Sequence, residues 1–476
     1  MHKFTNAKLM SFSAARYTSF FILMLRGFMV ASILGKEAFG LYSLVIILQQ
    51  QFSLFGLGVR ESVCLKLMDY SRDDQRFLDI SIAALCFSLL VIGVLTLISW
   101  ILFHFDVILG YQTYNIHMAL MLASFTIGTE ILSNVTRTRG MLGAVMIGEF
   151  AYATISFTAF WFVSRSFALS DNFLYTLLAT NVVVFCYYVF MNKDLFSNAS
   201  FFFTDLSRLV VLGIPILIQN VCTILLYSAG HYYLILSEAV EQLSIYSFAF
   251  SLVIAAQVGA RAVLWAKFSE MLILFGTNDE SGPSKKKVAV LLARISAVSQ
   301  TYLVLSIIAL KLFLSAFVFQ FFPEFVLSVP LVVIIFMALY WPILAVSEAT
   351  LLLSRKLFGM LYISSGVGLL ALGLLLFIYG QHSEALGTFE LATVTAFLIC
   401  VANFIFYCML KLNGGNVLGH SLSRTLFDII KNLGLVCILV GFYYNKELLL
   451  PVFAMVIMVL FMERKFLFKS KKLFGS

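Results

Sequence analysis

Long apolar runs, broken by short polar ones, follow one another along nearly the whole chain. A bilayer's hydrocarbon core is about 30 Å thick and is crossed by about 20 apolar residues in a helix. Measured this way, the pattern predicts fourteen membrane-spanning helices, at residues 10–33, 39–58, 80–103, 114–134, 141–163, 172–191, 208–236, 243–265, 289–313, 326–350, 359–380, 389–411, 425–444 and 448–462. The last two carry the weakest pattern, since 448–462 is short and 425–444 contains Asp428 and Lys431. The first run, behind Lys3 and Lys8, has the outline of a secretory signal. It is too long for one, contains Arg26 and lacks an A-x-A site, so it reads as an uncleaved helix. The expected fold is an all-α polytopic membrane protein of about 14 transmembrane helices.

The polar breaks give an orientation. Lysine and arginine favour the cytoplasmic side of short loops. With the N-terminus inside, 26 of the 32 basic residues fall in inside segments and four (Lys36, Arg165, Lys311, Lys446) fall outside. One miscounted helix would destroy that asymmetry, so both termini are expected in the cytoplasm. A repeat is also visible. EAFGLYS (Glu37 to Ser43), assigned to the first outside hairpin, returns 204 residues later as EQLSIYS (Glu241 to Ser247) between helices seven and eight. A six-helix period leaves both halves facing the same way, so the implied pseudo-twofold axis runs along the membrane normal, as in one class of secondary transporters. The expected organisation is a six-helix lobe over 1–200, a second over 201–412, and two further helices with a basic cytoplasmic tail over 413–476.

Composition agrees and narrows the choice. Of 476 residues, 61% are hydrophobic and 12% charged, against about 25% charged in soluble domains. The seven cysteines have irregular spacing and no C-x-x-C pair, which argues against a disulfide framework or zinc site. They read as small buried hydrophobes. No P-loop, H-E-x-x-H or G-x-S-x-G motif occurs, and no loop is long enough for a catalytic domain. No cofactor, metal or nucleic-acid partner is expected, and an enzyme is not.

Two arginines stand inside the first predicted helix. Arg16 and Arg26 are about 15 Å apart along the axis and about 80° apart around it, so they share one flank. Arg16 is near enough to the cytoplasmic end to snorkel, whereas Arg26 is too deep. An arginine near mid-membrane costs about 2.5–3.5 kcal/mol on insertion scales and faces a bundle interior or a watery cavity. One reading is a buried ion pair with Glu130, Glu149 or Glu348. The other is a cationic cavity for an anion, with Arg16, Arg60 and Arg261 at its cytoplasmic rim and Arg26 deeper. Arginine's forked donors match phosphate oxygens in pairs. Glu130, Glu149 and Glu348 are alternatively sites of ion coupling. Gln219, Asn220, Gln257 and Asn403 are candidate sugar contacts, and His231 reads as a neighbour of an interfacial aromatic belt.

These residues resemble a known family. An arginine-bearing first helix followed by ILGKEAFGLYSLVI (Ile33 to Ile46) is similar to the opening of Wzx-type polysaccharide (O-antigen) repeat-unit flippases, within the multidrug/oligosaccharidyl-lipid/polysaccharide exporter superfamily. LGIPILIQN (Leu212 to Asn220) and EQLSIYSFAFSLV (Glu241 to Val253) agree with the second half. The resemblance implies movement of an undecaprenyl-pyrophosphate-linked oligosaccharide from the cytoplasmic to the periplasmic leaflet of a bacterial inner membrane by alternating access. It implies cavity arginines on the first and eighth helices, here Arg16, Arg26 and Arg261. It also implies a polysaccharide polymerase and a chain-length regulator as partners, and two final helices flanking a lipid groove. The chain departs from the family at Gly230-His231, where many relatives are acidic. Competing readings are a multidrug (MATE-like) drug/cation antiporter, whose cationic substrates suit several arginines poorly, and a polytopic polysaccharide polymerase, which needs a large outside loop.

Overall fold

The computed structural model describes residues 6–67, 70, 74–104, 111–166, 170–237, 240–276, 282–380 and 388–444. The described residues are helical, with short turns between them and no strand. Eleven segments among them are long and apolar enough to cross a membrane, at 18–36, 38–56, 75–104, 115–138, 142–164, 171–191, 203–236, 287–312, 328–354, 358–379 and 391–418. Each coincides with a predicted span. The eighth and thirteenth predicted spans are also helical, and the fourteenth lies outside the described residues. The chain is thus an all-α, multi-pass membrane protein.

The first two spans form one long helix, α1 (Asn6–Phe52), broken at Gly35, which has φ 69° and ψ −177°. That conformation is essentially reserved for glycine, so the helix kinks there without a loop. EAFGLYS is therefore not a hairpin loop: it opens the second rod of α1, and EQLSIYS likewise opens a helix. After a 3-10 turn at Ser53–Gly56 comes a short helix that hydropathy does not reveal, α2 (Val59–Leu67), and then α3 (Gln75–His104), α4 (Tyr111–Thr138), α5 (Leu142–Ser166), α6 (Ser170–Met191) and the one-turn α7 (Leu195–Asn198). The order continues with α8 (Phe203–Leu236), α9 (Val240–Gly276), α10 (Gly282–Phe321), α11 (Ser328–Ser354), α12 (Phe358–Gly380), α13 (Thr388–Leu418) and α14 (Leu422–Tyr444).

The chain divides into two compact units, Met1–Ser247 and Phe248–Ser476. In the first unit, α3 and α4 pack through Leu85, Val91, Ile131 and Leu132, all buried. That unit also holds all of α8, for reasons visible in single contacts. The Ser200 N–H donates to Asp79 Oδ1 at 2.9 Å, and Arg76 pairs with the buried Asp205 at 3.3 Å. Gly58 and Gly213 let two backbones touch. A Cβ on Gly58 would lie 2.3 Å from the Gly213 carbonyl oxygen, and one on Gly213 2.3 Å from that of Leu57. The openings of the two repeat-related helices are joined as well, by Lys36 and Glu241 at 2.8 Å. In the second unit the centre is α11, apolar all round and enclosed along most of its length, as expected of a helix with no lipid-facing stripe. Polar side chains tie α14 to its neighbours. Gln300 on α10 donates to Asn432 Oδ1 at 2.7 Å, and Asn432 donates to the Tyr407 hydroxyl on α13 at 2.5 Å. The cysteines are free thiols, but Cys186 and Cys437 are exposed rather than buried.

Candidate functional site

Arg26 sits midway along the first rod of α1 and reaches across to α5. Its Nη1 donates to Ser156 Oγ at 3.1 Å. The guanidinium carbon lies 5.3 Å from the ring centre of Phe160 and 5.9 Å from that of Tyr152. Tyr152, Ser156 and Phe160 are four apart, so a helix presents them on one face. Ser156 and Phe160 are fully buried. Among the described residues no carboxylate pairs with Arg26, and its Nε has no hydrogen-bond partner. Each ring contact contributes roughly 0.5–2 kcal/mol, and a hydrogen bond from a charged donor about 1.5–3 kcal/mol. Together they match the insertion cost of about 2.5–3.5 kcal/mol, so the guanidinium is held in place with its charge uncancelled.

Two of the three glutamates offered as its counterions pair elsewhere. Glu130 pairs with Arg60 at 2.8 Å, and Arg60 pairs equally with Glu61 at 2.8 Å. The Arg60 side chain is 46% exposed, Glu130 42% and Glu61 15%, so this is a half-exposed cluster of one cation between two carboxylates. It also means that the rim arginine already carries two carboxylates. Glu348 is buried on α11, bonded to Lys411 of α13 and accepting from Ser347 Oγ at 2.7 Å. Lys411, one of the 26 basic residues assigned to inside segments by sequence, lies within the α13 span. Glu149 is half-buried on α5, three residues before Tyr152.

The remaining candidates divide between the units. Arg16 lies on α1, and its side chain is outside the described residues. Arg261 is half-buried on α9, in the second unit. Gln219 and Asn220 belong to α8, where Gln219 Nε2 donates to Thr223 Oγ1 at 3.2 Å. Gln257 and Asn403 are fully buried in the second unit. Gln257 donates to the Phe336 carbonyl at 3.3 Å, while neither amide atom of Asn403 has a hydrogen-bond partner. His231, expected in an interfacial belt, is buried edge-on to the Tyr246 ring at 4.8 Å. Sequence reasoning missed Tyr152, Ser156 and Phe160, although their period of four inside a predicted span was a usable signal. Nothing in the pattern pointed to Lys411.

No protein-family model and no curated protein sequence matches the chain. Solved structures do. A lipid II flippase, MurJ, in an inward closed conformation, superposes with TM-score 0.59 at 13% identity, covering 98% of this chain and 99% of the flippase. The MATE multidrug transporter DinF-BH, solved with a ligand bound, gives 0.60 at 15% identity over 88% of this chain and 98% of its own. A MOP superfamily transporter from Pyrococcus furiosus, whose binding pocket is described as having a reverse polarity that suggests a different function, gives 0.54 at 13% identity over 87% and 96%. The chain shares its fold with these transporters. At these identities the likeness speaks for architecture, and the choice among cargoes rests on the side chains.

Proposed function

We propose that this chain is a flippase for a lipid-linked oligosaccharide whose headgroup carries phosphate, as undecaprenyl-pyrophosphate-linked surface-polysaccharide units do. The observation that carries the reading is Arg26, a cation in mid-span, held by a hydroxyl and two rings with no acidic partner among the described residues. Such a group offers Nε and its remaining guanidinium N–H groups to an incoming anion. The near end-to-end match to a lipid flippase supports the same reading on architecture. In this proposal Arg16 and Arg60 of the first unit flank the cytoplasmic approach, with Arg16 nearest Arg26 in sequence, and Arg261 serves the same cargo from the second unit. The protein sits in a bacterial inner membrane with both termini cytoplasmic, and polymerase and chain-length regulator act downstream.

A second reading, export of cationic drugs, is favoured by superposition scores as high as the flippase's. Against it, Glu130 and Glu348 are both occupied by basic side chains. The deciding experiment replaces Arg26 by alanine and by lysine in a flippase-null strain, with membrane levels followed by blot. Loss of surface polymer in R26A at normal protein level, partly restored in R26K, is the expected result. Polymer at wild-type levels in R26A sinks the flippase reading, and drug sensitivity that tracks the variants would establish the second.

A further inference from the structure

An ideal helix turns 100° per residue, which places Gln219, Asn220, Thr223, Tyr227 and His231 of α8 within an arc about 120° wide. Val211, Ile214, Ile218 and Leu225, the exposed apolar residues of the same stretch, fall on the opposite side within an arc about 60° wide. The polar band therefore faces away from lipid. Gln219 and His231 at its ends are buried. Two of its members are linked one turn apart: Gln219 Nε2 donates to Thr223 Oγ1, and Thr223 Oγ1 donates to the Gln219 carbonyl at 2.9 Å. At the far end the His231 ring stands at 88° to Tyr246.

The repeat gives this band a counterpart. The shift of 204 that superposes Tyr42 on Tyr246 carries Arg16 onto Asn220, Ser19 onto Thr223, and Arg26 onto Gly230 beside His231. The same helix face is thus built twice within the first unit. On α1 it carries arginines, and on α8, between Gln219 and His231, amide, hydroxyl, phenol and imidazole with no lysine or arginine. A cation suits phosphate. Neutral groups that both donate and accept, beside aromatic faces, suit a ligand dense in hydroxyls and C–H faces.

We propose that the polar band of α8 is a carbohydrate-binding track, with Thr223 and His231 as specificity-determining contacts, while the α1 face holds the phosphate. This rests on the flippase reading and divides the cargo's head between the two repeats. The test uses the purified full-length protein in nanodiscs and a panel of farnesyl pyrophosphates, one bare and others carrying glucose, galactose or N-acetylglucosamine. At least one glycosylated probe is expected to bind more tightly than the bare one. Thr223→Val and His231→Gln are each expected to weaken that probe roughly tenfold, the scale of about one hydrogen bond, and to leave the bare probe unchanged. Arg26→Ala should weaken every probe alike. The track is overturned if no sugar strengthens binding, or if the α8 variants weaken bare and glycosylated probes equally, as a packing role would. Should H231Q melt early without ligand, T223V and N220A carry the comparison. If no probe binds and R26A changes nothing, the flippase reading fails as well, which separates the two failures.

Discussion

Glu348 and Lys411 show what single residues contribute to this protein. Removing one partner of a buried ion pair leaves the other charge stranded, at a cost of about 3–5 kcal/mol, whereas replacing both by apolar residues is often neutral. Accordingly, Glu348→Gln and Lys411→Met should each lower the melting temperature of the detergent-purified protein by several degrees, and the double variant should recover most of the loss. Recovery of stability without recovery of transport would show that the pair also serves the cycle. Gly414 belongs to the same site, because a Cβ there would meet Glu348 Cγ at 3.0 Å. Residue-level legibility followed reach. Arg26 was conspicuous because charge in an apolar run is costly in itself. Its partners on α5 and the Lys411 partner of Glu348 were not, because contacts across 63 or 130 positions of sequence depend on which helices meet.

At the scale of elements, the spans were legible because hydrocarbon thickness fixes their length, and every described one overlaps a helix, with ends shifted by up to 11 residues. Two features escaped hydropathy. The short polar helix α2 has no apolar run of its own, and the break at Gly35 replaces a loop with one residue in a glycine-only conformation. Gly35→Ala should cost about 1–3 kcal/mol and appear as reduced membrane levels. Gly213→Ala should be worse than Gly35→Ala, since its Cβ meets backbone rather than a yielding side chain. A thermal-shift series over both variants checks the order, and equal melting temperatures would show that α8 and the start of α2 can separate at little cost.

For the whole molecule, the asymmetry of lysine and arginine is the main guide. A reporter fused after residue 279 should read cytoplasmic and one fused after residue 167 external, and reversal of either would invert the proposed orientation. The first compact unit runs to Ser247, past the six-helix period read from the repeat, because α8 is tied to it by side chains. Asp79, Asp205 and the Gly58–Gly213 contact, which hold α8 there, are scattered single positions with no periodicity to announce them.

An arginine deep in a bilayer, with no acid beside it among the described residues, is also an electrical object. Moving one elementary charge across a membrane potential is worth about 2.3 kcal/mol per 100 mV. A phosphate-bearing head leaving an inside-negative cell travels down that gradient, while Arg26 stays fixed to α1 and moves little charge of its own. In the proposed cycle, the cell's resting voltage would thus favour export directly. The protein would need only to offer an uncancelled cation partway, lowering the barrier for a charge that the field already pulls outward.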